Sequence, residues 1–349
     1  MHILHSCFFL NELFLLLRIY LVKGMNVMFY GITGDKKLVA ANQADKNMTY
    51  YCPQCKKLLI LRQGRHNLPH FAHMRTACLA FSEGETGEHL QGKKFLLAFF
   101  AKYYDHVELE AYLSELKQRP DLLVFRKANK NLAVEFQCAP LTYDKLSERS
   151  TGYRQQGLAF FWFLGKKNYR LGKRMTQKIA QFLNWSAVRG FYLIYVDVVQ
   201  KRIEVAYQLQ MVDFLPLRYL RWYTSDFLQL RSFFKSYQLT CVPMVLPNDH
   251  MHQLRVLQKM RYYSRGEMFS LQKTAYVKQA NLDEIIARGL NFIPYSPIYC
   301  KALFWWHAQA LVVNENVDVK KIAQNFGYQL AFLNSETFIL MDICRLFLK

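Results

Sequence analysis

Acidic residues are scarce in this 349-residue chain: 26 Asp and Glu stand against 46 Lys and Arg, a net charge of +20. A deficit of that size costs self-repulsion unless an anionic partner relieves it, and charge alone leaves nucleic acid and anionic membrane both open. Cysteine is sparse too. Eight in this length are too few for a disulfide scaffold, and two of them form a Cys-x-x-Cys pair, so metal-bound and buried thiols in a reducing cytoplasm are the expectation. The chain has no P-loop and no glycine-rich phosphate cradle, which leaves ATP-driven action unsupported, and it shows neither repeats nor low-complexity tracts. An uninterrupted hydrophobic span is also missing. Ile3 to Val22 approaches the required length, but Asn11, Glu12 and Arg18 break it, and it lacks the charged start and small-residue cleavage site of a signal peptide. We expect the true start at Met25, with residues 1–24 an upstream artefact or, failing that, a hydrophobic N-terminal helix. Membrane attachment is the weaker reading.

What is present is mostly core. An apolar fraction of 52% excludes general disorder, and the length allows two or three domains. The chain is organised around Arg119 to Gln137, where Leu122-Leu123-Val124-Phe125 and Leu132-Ala133-Val134-Glu135-Phe136-Gln137 flank a basic turn. Two short apolar runs split by polar residues predict a β-hairpin, with Pro120 placed where its missing N–H removes no ladder bond. Glu135 and Gln137 are two apart and so share a face. Asp121 and Glu135 could hold Mg²⁺, a hard cation that takes oxygen ligands, provided that 121 pairs opposite 135. The plainer alternative is a strand-terminating aspartate and a glutamate paired with a nearby cation.

A second constellation runs from Tyr50 to Cys78. Cys52-x-x-Cys55 precedes His70-x-x-His73 by fourteen residues, and Cys78 follows four residues later. Structural zinc takes four Cys or His ligands in such pairs. In an extended segment His70 and His73 point to opposite faces, so one of them binds. The expected ligands are Cys52, Cys55, His73 and Cys78, with His70 the first substitute. A redox pair or unliganded buried thiols are the alternatives.

A helix follows, with Thr86 as its N-cap and an apolar stripe through Leu90, Phe95, Leu96, Leu97, Phe99 and Phe100. Glu85, His89 and Lys93 are spaced by four and share a face, which offers an acid to the hairpin and cations to a phosphate, or serves only as a solvated face. His106 to Tyr112 predicts a strand, Asp144 to Gln156 a helix, and Leu158 to Leu164 a strand buried on both faces. Arg149 and Tyr153, one turn apart, could clamp a phosphate and stack a base, or simply pack.

Pro120-Asp121, then Glu135-Phe136-Gln137, resembles the PD-(D/E)xK nuclease motif, with Gln137 where lysine is usual. More specifically, Cys52-Pro53-Gln54-Cys55, His70-Phe71-Ala72-His73, Glu85 to His89 with Lys93, Arg119-Pro120-Asp121, Glu135-Phe136-Gln137, and Arg149 with Tyr153 occur in the order of the competence protein CoiA family, over roughly the first half of the chain. The resemblance implies an α/β, restriction-endonuclease-like mixed sheet flanked by helices over residues 82–166, behind a zinc-finger-like lobe at 25–81. It implies Glu85, with Glu88 as substitute, as a further acid beside Asp121 and Glu135. It also implies a role in natural transformation on incoming single-stranded or branched DNA, alongside recombination proteins. The activity expected is Mg²⁺- or Mn²⁺-dependent phosphodiester hydrolysis, with Asp121 and Glu135 holding metal and Gln137 orienting water or phosphate. Glutamine carries no charge and cannot replace lysine as a base. The alternative is an inactive DNA-binding accessory that keeps the fold.

Residues 167–349 are basic and helical in pattern, beginning with a cationic run, Lys166 to Lys178, that leads into a helix toward Trp185. Phe191 to Val199 and Arg202 to Tyr207 predict one hairpin. Arg218, Arg221, Trp222 and Tyr223, and later Lys259, Arg261, Tyr262 and Tyr263, offer cations and rings to nucleic acid. Aromatics at helical spacing are as readily core.

Overall fold

The computed structural model describes residues 30–35, 37–52, 56–64, 67–73, 87–127, 129–237, 246–313 and 318–347. The expectations for residues 1–24, Cys55, Cys78, Glu85 and Thr86 lie outside these. The chain falls into two compact units, residues 1–139 with 152–161, and residues 140–151 with 162–349.

The first unit opens with an antiparallel sheet of β1 (Tyr30–Ile32), β2 (Leu38–Ala40), β3 (Tyr50–Tyr51), β4 (Leu58–Gly64) and β5 (Asn67–His73), in the order β2-β1-β3-β4-β5. The β1–β2 hairpin turns at Gly34 and Asp35, and Thr33 N–H closes it on the Lys37 carbonyl at 2.9 Å. Ala41, Tyr50, Cys52, Leu59 and Phe71 form the core on one face, with Val39 and Leu61 packed against them.

The chain then runs through α1 (Gly87–Ala101), β6 (Val107–Leu109), β7 (Leu122–Val124) and β8 (Leu132–Gln137), followed by α2 (Tyr143–Gln155) and β9 (Ala159–Gly165). This is the expected order of helix, three strands, helix, strand. The strands lie in the order β9-β8-β7-β6. On α1, Gly92, Lys93, Leu96, Phe99 and Phe100 are buried, a stripe at helical spacing that faces the sheet. Gly92 lets the helix approach closely: a Cβ there would overlap the Phe136 ring. In β9 only Trp162 to Gly165 is fully buried, and Phe161 is exposed, so the expectation of burial on both faces holds for half of that strand. The hydrophobic run is continuous, but in its first half Ala159 and Phe160 are only part-buried.

The second unit shares β9 from Trp162 onward and adds α3 (Lys166–Tyr169), α4 (Gln177–Ala180), β10 (Asn184–Ser186), β11 (Gly190–Asp197), β12 (Arg202–Gln210) and β13 (Arg218–Thr224). β11 runs parallel to β9, with Tyr195 opposite Leu164, and the expected β11–β12 hairpin continues antiparallel into β13. Among the described residues seven helices follow: α5 (Phe227–Lys235), α6 (Pro247–Met260), α7 (Glu267–Val277), α8 (Leu282–Gly289), α9 (Leu303–Val313), α10 (Val319–Phe326) and α11 (Ser335–Phe347).

Two expectations change here. The segment toward Trp185 is two single-turn helices and the short strand β10. Arg218 to Thr224 is a strand rather than a helix, because its rings alternate with period two: Trp222 stacks on Phe233 at 4.3 Å, while Arg221 and Tyr223 are exposed. Residues 167–349 are thus mainly helical only after β13. Among the described residues no helix is long and apolar enough to cross a membrane.

Candidate functional site

Leu122 pairs with Val134 and Val124 with Leu132 across β7 and β8. Continued by one residue, the register sets Asp121 opposite Glu135, the pairing that a shared cation requires. The ladder itself stops at Leu122. Phe136 N–H, left beyond its end, donates instead to Asp121 Oδ2 at 2.8 Å, so the carboxylate replaces a missing backbone acceptor. The same oxygen lies 3.2 Å from His89 Nε2 on α1. Oδ1 has no partner among the described residues.

Burial works to raise the Asp121 carboxyl. The charges of His89 and Lys93 and the bonds from His89 and Phe136 N–H outweigh it and hold the group at about 2. Asp121 is therefore an anion across the working pH range, although its side chain is only 15% exposed.

Glu135 is buried on β8 and accepts from the Tyr153 hydroxyl on α2. Asp121 and Glu135 are thus opposite in register but steadied by different helices, α1 and α2. Gln137 shares the Glu135 face, and its Nε2 donates to the Ala139 carbonyl at 2.7 Å. Among the described residues no three His, Cys, Asp or Glu side chains gather as a metal cluster.

Two residues expected to touch DNA are enclosed. Tyr153 is 0% exposed, so its ring is closed to a base and its hydroxyl positions Glu135. Lys93 is buried and donates to Glu110 Oε1 at 2.7 Å. Its cation faces the protein because it helps to neutralise a buried carboxylate. Arg149 lies 5.6 Å from the Trp162 ring centre. His89 is a hydrogen-bond partner of Asp121 rather than an outlying cation, and its ring stacks on Phe136 at 5.9 Å.

Glu110 is the residue that sequence reasoning misses. Leu109 pairs with Leu122, so the next step puts Glu110 opposite Asp121, and Glu110 N–H donates to the Asp121 carbonyl at 2.9 Å. Three acids, Glu110, Asp121 and Glu135, therefore occupy one row across β6, β7 and β8. Glu110 stands at φ +51°, in the left-handed region, and is matched by Lys93 and by Arg119 at 3.6 Å. Its signal in the sequence is position alone, since it ends an alternating strand level with Asp121.

In the N-terminal sheet, Cys52 is buried, and its backbone closes a tight turn: Cys52 N–H donates to the Lys57 carbonyl at 2.8 Å and Lys56 N–H to the Cys52 carbonyl at 2.9 Å. Tyr50 pairs with Leu59, and Leu59 with His73. By strand alternation Cys52, Leu59, Phe71 and His73 share one face, while His70 lies on the other. Burial and the charge of Lys57 lower the His73 imidazole, which favours the neutral form that ligates metal.

The sequence that builds this site matches the models of a known family. The model of the competence protein CoiA N-terminal domain matches residues 34–81, and that of the competence protein CoiA nuclease-like domain matches residues 85–238. Competence protein CoiA of Bacillus subtilis (strain 168) is 31% identical over 153 residues, which are 42% of this chain and 41% of that protein. The chain thus spans well under two thirds of that relative's length. No solved structure matches. Through residues 34–81 and 85–238, matched by two of its domain models, the chain belongs to the competence protein CoiA family.

Proposed function

We propose that the protein is a competence-related, metal-dependent DNA nuclease acting on single-stranded or branched DNA during natural transformation and recombination. The observation that carries this reading is the register that sets an ionised Asp121 opposite Glu135 with Gln137 on the Glu135 face. Two carboxylates on adjacent strands fit Mg²⁺ or Mn²⁺, whose hard coordination shells favour oxygen. Asp121 and Glu135 would hold the ion, with His89 bonded to the same carboxylate and Glu85, outside the described residues, as the further acid. When bound, such an ion supplies Lewis-acid stabilisation of the scissile phosphate and an acidified water.

The chain's own residues do the rest. Lys93 and His89 keep Asp121 ionised, and the Tyr153 hydroxyl fixes one Glu135 oxygen. Gln137 carries an amide that orients water or phosphate once it leaves the Ala139 carbonyl. In the N-terminal lobe, the shared face of Cys52 and His73 supports structural zinc held with Cys55 and Cys78.

The second reading, an inactive DNA-binding accessory, is favoured by that same Gln137 contact, which engages the residue where a lysine is usual in the resembling motif. Incubating single-stranded, duplex and branched DNA with Mg²⁺ or Mn²⁺ separates the two. The nuclease reading expects cleavage by the native chain and a loss of at least about a hundredfold in Asp121→Asn with DNA binding retained. Binding without any cleavage by the native chain supports the accessory.

A further inference from the structure

The outward face of β13, within the second unit, carries an arrangement of rings and cations unconnected with Asp121. Tyr219, Arg221 and Tyr223 alternate with Leu220 and Trp222, so the three share one face, the two tyrosines being about 13 Å apart along the strand. Arg221 lies between them. Its Nη2 is 2.6 Å from the Tyr219 hydroxyl, its guanidinium carbon is 5.2 Å from that ring's centre, and Nε is 3.3 Å from Glu204 Oε1. Tyr223 pairs opposite Glu204 on β12, and two residues before Glu204 the Arg202 guanidinium sits 4.1 Å over the Tyr223 ring.

Beneath this row are two acids. Lys166 Nζ reaches Asp197 at 2.8 Å and Glu204 at 2.6 Å, and Arg202 is 3.9 Å from Asp197. The carboxylates are enclosed, the Glu204 side chain being 7% exposed, whereas those of Arg221 and Arg202 keep 43% and 39%. The acids hold Arg221 Nε and lie beside Arg202, and both guanidinium groups keep part of their surface in water. Among the described residues β13 also ends the strand order, so its outer edge pairs with no further strand.

We propose that this face is a binding platform for single-stranded nucleic acid, with bases stacking on Tyr219 and Tyr223 and backbone phosphates drawn to Arg202 and Arg221. Alternating π-faces and cations suit a strand that presents a base and a phosphate in turn. An acidic polypeptide would use the cations and leave the rings idle. The platform rests on the reading that DNA is a partner and is independent of hydrolysis.

The test uses the full chain carrying Asp121→Asn, so that DNA stays intact, and fluorescence anisotropy of an oligothymidylate of about twenty nucleotides. Tyr219→Leu with Tyr223→Leu is expected to weaken binding by about tenfold per ring, whereas the Tyr→Phe pair, which keeps the π-faces, binds within about twofold of the parent. Arg202→Gln is expected to lower the slope of log affinity against log salt by about one. Equal binding by the Leu pair and the Phe pair overturns the proposal, as does no binding by the parent. Displacement by polyglutamate that is indifferent to the rings points to an acidic protein instead and also overturns it. Thermal melts of each variant separate misfolding from loss of contact, and the salt slope of Arg202→Gln remains decisive if the Leu pair fails to fold, an unchanged slope overturning the proposal. Cleavage by chains with native Asp121, followed in parallel, persists if only the platform is wrong.

Discussion

Asp121 draws its chemistry from three neighbours rather than from its own position. His89 and Phe136 N–H take one oxygen, Lys93 adds charge, and together they override burial to hold the carboxyl at about 2. A carboxyl depressed in the folded state contributes stability above its unfolded value near 3.9, and that contribution disappears as pH falls from about 4 to about 2. The difference corresponds to about 2 kcal/mol. Urea unfolding at pH 6 and pH 3 should show the native chain losing about 1 kcal/mol more than Asp121→Asn, the remainder going below pH 3; equal losses would mean that the neighbours do not hold the carboxyl down. Lys93 and Glu110 teach a related lesson. A lysine spaced by four from His89 reads as a surface cation, but its destination depends on which acid lies across the sheet, and that follows from pairing rather than from spacing along the helix.

At the scale of elements, the contact between α1 and β8 controls the site. Gly92 meets the Phe136 ring, and Phe136 separates Glu135 from Gln137 while bonding Asp121 through its N–H. In a helix, alanine is favoured over glycine by about 1 kcal/mol, yet the ring is fully buried and cannot swing aside. Gly92→Ala is therefore expected to destabilise by about 1–3 kcal/mol and to lower DNA cleavage beyond what stability explains. A neutral or stabilising effect in denaturant melts would show that the helix can retreat without disturbing the hairpin.

The hairpins and the helix–strand order are legible in the sequence because apolar period, turn residues and Pro120 all point the same way. β13 is not. Arg-Tyr-Leu-Arg-Trp-Tyr-Thr satisfies a helical and an alternating pattern alike over so short a run, and only Phe233, packing on Trp222, decides between them. β4 and β5 escape notice for another reason: their ladder is read from Leu59 opposite His73, while the residues that catch the eye are the metal-type side chains it carries. The acidic pair is legible by type and spacing. Its third row member, Glu110, is not, because cross-strand neighbours leave no local trace.

For the whole molecule, the N-terminal sheet has a small core for its five strands, and a metal would compensate for that. The full chain purified without chelator is expected to carry about one zinc ion, and Cys52→Ser to lose most of it together with several degrees of thermal stability. Elemental analysis finding no zinc in the native chain, or full zinc in Cys52→Ser, would remove the metal from that lobe.

The division into two compact units has a consequence for how such a protein can be altered. The chain passes from one unit to the other at 139/140, again at 151/152, and again at 161/162. Both α2 and β9 are severed by that boundary, so neither unit corresponds to one continuous stretch of gene. No single cut releases either half, and a stop codon after β9 would strand residues 140–151 without the remainder of their own unit.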